Sequence, residues 1–345
     1  MKGLIHYILR PTALLVMLLA FASCSHETSI VDGPLLTNRF GPFVQLEPLE
    51  ASVQTVDFAT GQRASFTAVF SKEVEWTLEI RGDESGALKR IEGFSRELNA
   101  ENSSWDGSTT ELPFFKAETV TASLIVDDPD AGDPVSTGLE VLSPRSYPGS
   151  LFANFEAPDT RTAEVRDFEF DLNTTDTGVS SEVPAGEGNN FLLLRTNGGQ
   201  PVADAFFDGL VNIYPSENRA GLFSIPSSIP EDIHLNFFLY SFGSPLSLAN
   251  IEIVVDGNGN EQYDEGTDPI VAATGGISVN WDAGWRAFSF TLAELGLTEE
   301  QAGQIVAIRA IALNQADQQP DPNNHEVSEY GIDFITFTVG GPLEL

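Results

Sequence analysis

Alternating apolar and polar residues predict that this chain is built from short β-strands. In the segment 74–80 the apolar residues recur at every second position, which is the period of a strand with one face in a core. Trp76 lies on that apolar face and is therefore predicted to be a core residue. The same pattern predicts further N-terminal strands at 43–46, 64–70 and 119–126, and the turns between them favour an antiparallel sandwich.

The C-terminal part carries a second series of predicted strands with almost no helix. They lie at 168–170, 191–194, 233–242, 251–255, 285–292, 305–313 and 332–339. One short helix is predicted at 298–301, where Thr298 and Gln301 have the spacing of a capping box. Two prolines and a glycine interrupt the pattern at 143–150, so we predict an all-β chain with domains at 43–148 and 151–345.

The N-terminus has the pattern of an export signal. An apolar run at 12–21 follows Lys2 and Arg10 and is too short to span a bilayer. It ends in Phe21-Ala22-Ser23-Cys24, which resembles the lipobox of bacterial lipoproteins. The resemblance implies a signal peptide at 1–23, a lipid such as palmitate on Cys24, a tether at 24–42 and a place on the bacterial outer membrane, at the cell surface. An ordinary secretory signal is the alternative, although the chain's single cysteine cannot form an internal disulfide.

The charge balance narrows the classes of partner. The chain has 51 acidic and 17 basic residues and a net charge of -34, so it repels nucleic acid and anionic lipid headgroups. Cations and neutral ligands remain compatible with such a surface. After position 24 no apolar run has the length of a membrane span, so we expect membrane contact through the lipid anchor only.

Two family resemblances extend this interpretation. The segments 76–80, 85–87 and 105–107 resemble the immunoglobulin-like repeat of flagellar hook-capping proteins, which implies a spacer domain. The segments 153–156, 184–186, 233–240, 285–292 and 330–337 resemble the galactose-binding-like jelly roll of carbohydrate-binding modules. Together they imply an immunoglobulin-like sandwich followed by a jelly-roll β-sandwich.

The strand faces of the second domain predict where a sugar can bind. On the strand at 233–242, His234, Asn236 and Tyr240 share the face opposite the apolar one. Trp285 lies opposite the core face of its own strand, and Trp281 precedes it in a loop. Because sugar recognition combines aromatic stacking with directed hydrogen bonds, we predict these five residues to be carbohydrate-binding. Edge packing of the two tryptophans is the alternative.

One motif predicts calcium. After the strand at 251–255, oxygen-bearing side chains follow at alternating positions, as in an EF-hand-type loop. The predicted ligands are Asp256, Asn258, Asn260, Gln262, Asp264 and Asp268. An Asn-Gly-rich hairpin turn is the alternative. The jelly-roll resemblance implies a second, weaker calcium site at Glu156 and Asp333.

Catalytic motifs are absent from the sequence: no nucleophile elbow, phosphate loop or zinc spacing occurs. We therefore predict a non-catalytic surface lipoprotein that binds a polysaccharide or oligosaccharide, with an outer-membrane uptake complex as its partner. A structural or adhesive surface protein is the alternative. A glycan-degrading enzyme, which needs only two suitably spaced carboxylates, is the third hypothesis.

Overall fold

The longest strand shows how the alternating pattern builds the first sheet. The computed structural model describes residues 41–156, 168–171, 178–195, 209–215, 220–245, 247–314 and 328–345. Strand β3, Phe66–Gly82, merges the two strands predicted at 64–70 and 74–80. Its even-numbered residues are buried throughout, and the inward Lys72 pairs with Asp128 at 2.6 Å. The ion pair neutralises a buried ammonium, so the strand continues where the polar residues predicted a break.

Sheet 1 contains six strands in the order β1-β3-β5-β6-β2, with β4 paired to β3. Strand β2 runs parallel to β6, whereas the other pairs are antiparallel. Strands β4 and β6 were not predicted, because charged and small residues break up their alternation. The bounds are β1 Gln45–Ala51, β2 Thr55–Asp57, β4 Leu88–Leu98, β5 Thr119–Asp127 and β6 Val135–Ser143.

The prediction that Trp76 is a core residue is confirmed. Its side chain is buried, and its indole nitrogen donates to the hydroxyl of Ser95 at 2.9 Å. Gly93 lies opposite Trp76 on β4, and a Cβ at that glycine would approach the indole ring to 2.3 Å. The absence of a side chain at Gly93 therefore makes room for the ring.

Two further six-stranded sheets form the C-terminal sandwich. Sheet 2 has the order β16-β12-β18-β10-β9 with β7 on β18, and sheet 3 has the order β14-β13-β17-β11-β8 with β15 on β13. The strands of sheet 2 are β7 Ser150–Ala153, β9 Gly178–Ser180, β10 Phe191–Arg195, β12 Ile233–Ser241, β16 Gly284–Thr291 and β18 Glu329–Val339. Those of sheet 3 are β8 Phe168–Asp171, β11 Gly209–Ile213, β13 Ser247–Val255, β14 Ile270–Ala273, β15 Ile277–Ser278 and β17 Ile305–Asn314.

The core of the sandwich lies between sheets 2 and 3. Alternate residues of β12, including Leu235 and Phe237, pack there with alternate residues of β13 and β17, such as Ile251 and Ile308. Removing these apolar surfaces from water is the main stabilising contribution to such a sandwich. The predicted all-β class with β-sandwich sheets is thus confirmed.

The one predicted helix is also confirmed. Helix α1, Glu299–Ala302, begins after Thr298, whose side chain accepts from the backbone N–H of Gln301. The side chain of Gln301 in turn accepts from the N–H of Thr298 at 2.9 Å, which completes the capping box.

Sheet 1 ends at Ser143 and sheet 2 begins at Ser150, while Val44–Leu345 forms one compact unit. Within the described ranges, none of the helices has the length and apolar character needed to cross a bilayer. The predicted signal peptide, Cys24 and most of the tether lie outside the described residues.

Candidate functional site

The outer face of sheet 2 is the face on which the sequence predicts sugar binding. Side chains on β12 alternate between the two faces as predicted, and Ile233, Leu235 and Phe237 point into the core between the sheets. The opposite face is largely covered, however. Other parts of the chain pack on it, and they bury two of the five predicted carbohydrate-binding residues, Trp285 and Asn236.

Trp285 is enclosed on this face and only 9% exposed. Its indole nitrogen donates to the carbonyl of Pro184 at 2.7 Å, and its ring meets Phe191 and Tyr240 edge-on at 5.4 and 5.1 Å. A pyranose ring could stack on this indole only after the loop at 184–186 had moved away.

Asn236 is 2% exposed and has a structural set of partners. Its amide group donates to the hydroxyl of Thr338 at 2.9 Å, and its side-chain oxygen accepts from the N–H of Leu343 at 3.0 Å. Asn236 therefore fixes the segment after β18 to the outer face of sheet 2.

The other three predicted residues keep part of their surface. His234 has its Nδ1 atom 3.4 Å from the hydroxyl of Ser289. Burial raises the pKa of Tyr240, and the negative charge of Glu182 adds to the effect. Trp281 donates to the carbonyl of Gly284 at 2.8 Å, and its ring lies 4.5 Å below the guanidinium of Arg286. A sugar-binding role for these three residues stays a prediction.

Aromatic residues that precede the sandwich complete the cover over sheet 2. Phe114 stacks on Tyr147 with ring centroids 3.7 Å apart and meets Phe238 edge-on at 5.1 Å. The backbone N–H of Phe114 donates to the carbonyl of Gly186 at 2.9 Å. The outward aromatic residues of sheet 2 thus serve an internal contact, which a strand pattern cannot distinguish from a ligand-binding face.

The outer face of sheet 3 carries a row of polar residues that the sequence analysis missed. Glu252 on β13 lies opposite Arg309 on β17, which lies opposite Asn212 on β11. Asn250 precedes Glu252 by two positions and so shares its face. We call these four residues, Asn212, Asn250, Glu252 and Arg309, the polar row. The only signal in the sequence is the interruption of otherwise apolar strands by single polar residues.

The residues of the polar row are buried although their side chains are polar or charged. Asn212, Asn250 and Glu252 are 6–7% exposed. A nitrogen of Arg309 lies 3.1 Å from Oε2 of Glu252, and the amide of Asn250 donates to Oε1 of Glu252 at 3.1 Å. Burial raises the pKa of Glu252, against the opposing effects of Arg309 and Asn250.

Four atoms of the polar row have no hydrogen-bond partner. They are Oδ1 of Asn212, Oδ1 of Asn250, Oε2 of Glu252 and Nε of Arg309, half of the eight such buried side-chain atoms among the described residues. Oε2 of Glu252 contacts the arginine as an ion pair but without hydrogen-bond geometry. A buried polar atom without a partner costs about 1–3 kcal/mol, so four neighbouring ones require an explanation. The row thus contains three acceptors and one donor that have neither a protein partner nor appreciable exposed surface.

The loop at 256–268 brings four of its predicted calcium ligands together. Asp256 accepts the backbone N–H groups of Asn258, Gly259 and Glu261. The amides of Asn258 and Asn260 both donate to one oxygen of Asp264, at 2.8 and 2.6 Å. Partial desolvation acts to raise the pKa of Asp256, but the backbone hydrogen bonds, led by that from Glu261, together outweigh it and lower that pKa.

The remaining two predicted ligands have other contacts. Both oxygens of Asp268 accept backbone N–H groups, from Gly257 at 2.8 Å and from Asp264 at 2.7 Å. Gln262 forms an isolated antiparallel β-bridge with Ala220. Among the described residues no group of three or more Asp, Glu, His or Cys side chains has an arrangement suited to a metal ion. The oxygen-rich half of the loop, from Asp256 to Asp264, thus fits a cation better than its end does.

Two further residues, Glu187 and Asn154, lie beside Glu156 and Asp333, the second predicted calcium site. Glu156 accepts the N–H groups of Asn189 and Asn190, and the fully buried Asp333 accepts the N–H of Glu187 at 2.8 Å. Burial, with the charge of Glu156, raises the pKa of Glu187 to about 7.

Asn154 lies beside these carboxyl groups. Its amide donates to Glu187 at 3.3 Å, and its Oδ1 is buried without a partner. Burial first, then the charge of Glu187, raises the pKa of Asp333. The sequence missed Glu187 and Asn154, because their proximity to Asp333 depends on the loop that follows Ala185.

Comparisons with known proteins give a likeness of structure only. No protein-family model matches the chain, and no curated protein does. Solved structures that match include carbohydrate-binding modules of the β-sandwich superfamily, at 13% identity over 86% of this chain and 98% of that one, with a TM-score of 0.35. With TM-scores this low, the likenesses carry no argument about what this chain binds.

Two surface glycan-binding proteins show a similar degree of likeness. SGBP-B from a complex xyloglucan utilization locus in Bacteroides uniformis is 11% identical, with 85% of this chain and 73% of that one covered and a TM-score of 0.35. PbSGBP-B from Prevotella bryantii is 10% identical, with 81% and 73% covered and a TM-score of 0.36.

Proposed function

We propose that this protein is a non-catalytic glycan-binding protein whose C-terminal sandwich takes a neutral polysaccharide or oligosaccharide. The observation that carries the proposal is the polar row, with three unpartnered acceptors and one unpartnered donor on neighbouring strands. These four atoms have almost no exposed surface, so the proposal requires the row to become exposed when a glycan binds. Sugar hydroxyls donate and accept at once, so a pair of adjacent hydroxyls can satisfy an acceptor and the donor together.

The charge of the chain favours a neutral ligand. A net charge of -34 repels uronic-acid and sulfated glycans, and the polar row adds no net charge, because Glu252 and Arg309 balance. Hydrogen bonds to charged groups contribute about 1.5–3 kcal/mol each, so Glu252 and Arg309 would supply most of the polar affinity.

The polar row supports binding more than hydrolysis. Glycoside hydrolysis uses two carboxyl groups that flank the scissile bond. The row contains one, Glu252, and that carboxylate is held by Arg309 and Asn250. We therefore propose that a bound glycan is held without being cleaved.

A lipid anchor would place this activity at a membrane. We propose that Cys24 is lipidated, that the chain is attached to the outer membrane, and that the region at 43–148 holds the sandwich away from the lipid. The lipobox-like 21–24 segment supports this proposal. Delivery of captured glycan to an uptake complex would be the purpose of such an arrangement.

Calcium is proposed as a structural ligand of the 256–268 loop. The convergence of Asp256, Asn258, Asn260 and Asp264 supports it, since carbonyl and carboxylate oxygens are the ligands that Ca2+ prefers. Glu156 and Asp333, with Glu187 and Asn154 beside them, are proposed as a second and weaker site. Neither ion would take part in chemistry.

A structural or adhesive role is the second candidate function. Such a role predicts that the rings of Trp281, Trp285 and Tyr240 are buried, and the burial of Trp285 favours it. The rings of Trp281 and Tyr240 are only partly buried. This hypothesis also does not explain the unpartnered atoms of the polar row.

Affinity electrophoresis of the full chain tests the proposal. Native gels would contain hydroxyethylcellulose, galactomannan or arabinoxylan. We expect retardation by at least one of them and a loss of affinity of about tenfold in Asn212→Ala, because one buried acceptor is removed. Ser289→Ala, an exposed polar change on sheet 2, is the matched control.

Trp281→Ala separates the two faces of the sandwich. Loss of binding in Trp281→Ala with full binding in Asn212→Ala would place the site on sheet 2 and contradict the polar-row assignment. If none of the three polysaccharides retards the wild-type chain, the structural or adhesive hypothesis replaces the proposed function.

A further inference from the structure

We infer that the protein has a second glycan-binding site on the outer face of sheet 1, where Phe94 is the aromatic platform for a neutral pyranose and nearby carboxylates accept its hydroxyl groups. The inference rests on the proposed function, since it assigns the same class of ligand to a second place on the chain. Unlike the atoms of the polar row, Phe94 and these carboxylates are exposed in this structure.

A groove crosses strands β4, β3 and β5 on the outer face of sheet 1. Its volume is about 480 Å³, within the range of roughly 300–1,000 Å³ that sites for small ligands have. The groove therefore has room for a sugar unit. Its lining includes the outward side chains of Glu75, Thr77, Glu92, Phe94, Ile125 and Asp127.

The register of the three strands arranges these side chains in two rows. The first row consists of Phe94, Glu75 and Asp127, and the second of Glu92, Thr77 and Ile125. Neighbouring strands lie about 4.8 Å apart, so each row spans roughly 10 Å from β4 to β5. The aromatic ring thus has one carboxylate beside it in its own row and another in the next row.

The ring of Phe94 has a free face. The residue is 65% exposed, and within the described ranges no aromatic ring and no cationic side chain packs against it. Ile125, which is 40% exposed, adds apolar surface on the opposite side of the groove. A ligand that covers both side chains removes this surface from water, which favours binding.

The carboxylates of the groove are available as hydrogen-bond acceptors. Glu75, Glu92 and Asp127 have no side-chain hydrogen bond or ion pair within the part of the chain that the structure describes. Among the same residues no basic side chain lines the groove, and Arg90, two positions before Glu92, is paired with two other glutamates. Because a carboxylate only accepts, the ligand has to supply donors, and an anionic ligand is repelled.

A neutral pyranose fits this combination of groups. Its C–H face packs on an aromatic ring, while the hydroxyl groups around its edge donate to acceptors beside that ring. A hydrogen bond from a hydroxyl group to a carboxylate is roughly twice as strong as one between neutral groups. Glu75, next to Phe94 in its row, and Glu92, two residues away on β4, are placed to form such bonds.

The size of the groove favours a sugar over a basic peptide, which also offers donors. Specific protein–protein interfaces bury about 800 Å² on each partner. The groove, by contrast, is a single concavity of about 480 Å³ between three strands. A sugar unit therefore matches it better than a protein surface does.

Affinity electrophoresis of the full chain on hydroxyethylcellulose, galactomannan and arabinoxylan tests this inference. Two sites on one chain can contact the same polysaccharide, so loss of either should weaken binding. We expect Phe94→Ala to lose about tenfold in affinity and Phe94→Tyr to retain it, because the ring makes the platform. Leu142→Ala, which removes a 50% exposed apolar side chain from β6 of the same sheet, is the matched control. Thermal unfolding of each variant confirms that it is folded under the conditions of the gel.

A neutral replacement tests the hydrogen bonds to the carboxylates. Glu75→Gln keeps the length of the side chain and one acceptor but removes the charge, so we expect about a threefold loss on the same gels. Glu140→Gln removes an exposed carboxylate of β6 outside the groove and should have no effect. Equal losses in these two variants would mean that only the net charge matters and would contradict the assignment.

The outcomes separate this inference from the function on which it rests. Loss of binding in Asn212→Ala with unchanged binding in Phe94→Ala leaves the proposed function intact and overturns the second site. Loss in Phe94→Ala with full binding in Asn212→Ala supports the site on sheet 1 and contradicts the polar-row assignment. Absence of retardation of the wild-type chain in all three gels overturns both. Binding of an oligo-arginine peptide that is lost in Phe94→Ala, with no polysaccharide distinguishing the two chains, would assign the groove to a basic partner and overturn the inference.

Discussion

The buried ion pair of the polar row gives the sharpest prediction. Replacing Arg309 by Met removes the guanidinium from beside Glu252, whose side chain is 9% exposed, and leaves a buried carboxylate without its cation. Breaking such a pair costs about 3–5 kcal/mol. Because the side chain of Arg309 is 15% exposed, we expect the lower end, about 3 kcal/mol.

The loss should be recovered by removing the second charge. In Arg309→Met/Glu252→Gln no charge remains to be buried, and the amide oxygen of the new glutamine can still accept from Asn250. We expect the double variant to lie within about 1 kcal/mol of the wild type, since a buried pair and its neutral replacement are often close in stability.

The pH dependence follows from the sign of the pKa shift. Burial already raises the pKa of Glu252 in the wild type, and loss of Arg309 removes an influence that lowers it. A raised folded-state pKa of a carboxyl group means that its contribution to stability is present at low pH and is lost as the pH rises through that pKa. The deficit of Arg309→Met should therefore grow as the pH rises above about 4.3, the ordinary pKa of a glutamate side chain.

Thermal unfolding followed by circular dichroism measures all three effects. A deficit of about 3 kcal/mol corresponds to a fall in Tm of roughly 4 °C for a chain of 345 residues. A fall of less than 2 °C in Arg309→Met, or a double variant less stable than the single one, would refute the assignment of a buried, mutually dependent pair. The double variant should also lose glycan binding, as it lacks both charged groups.

Three further predictions concern other parts of the chain. Gly93→Ala should destabilise the protein by about 1–3 kcal/mol in a denaturant titration, because the new Cβ would meet Trp76, whereas Gly138→Ala, whose Cβ meets its nearest atom at 3.5 Å, should cost under 1 kcal/mol. Asp264→Ala should weaken calcium binding measured by calorimetry on the full chain, and an unchanged titration would remove the loop as a calcium site. Cys24→Ala should abolish incorporation of labelled palmitate in a bacterial host, and continued labelling would contradict lipidation at this residue.

The alternation of residue types by itself determined the fold class and much of the strand positions. In β12 and β3 it also determined which residues enter the core, since successive side chains of a strand must point to opposite faces. Thr298 and Gln301 likewise determined the start of the helix, because the capping box is a contact between residues three positions apart. These are local properties that a single segment can specify.

Only the tertiary structure decided what lies against each outer face. Trp285 is outward on its strand, as the pattern predicts, but Pro184 and Phe191, about a hundred residues earlier, enclose it. An outward aromatic residue has the same pattern whether it meets a ligand or another part of the chain. Lys72 is a similar case, because its inward position depends on Asp128 from a distant turn.

The polar row also required the tertiary structure. Asn212, Glu252 and Arg309 come from three strands and become neighbours only through the register of β11, β17 and β13. A shift of one residue in any of these pairings would turn the side chains to the core face, and single polar residues within apolar strands do not specify that register. The chemistry of the site therefore arises from pairing between segments that are distant in the sequence.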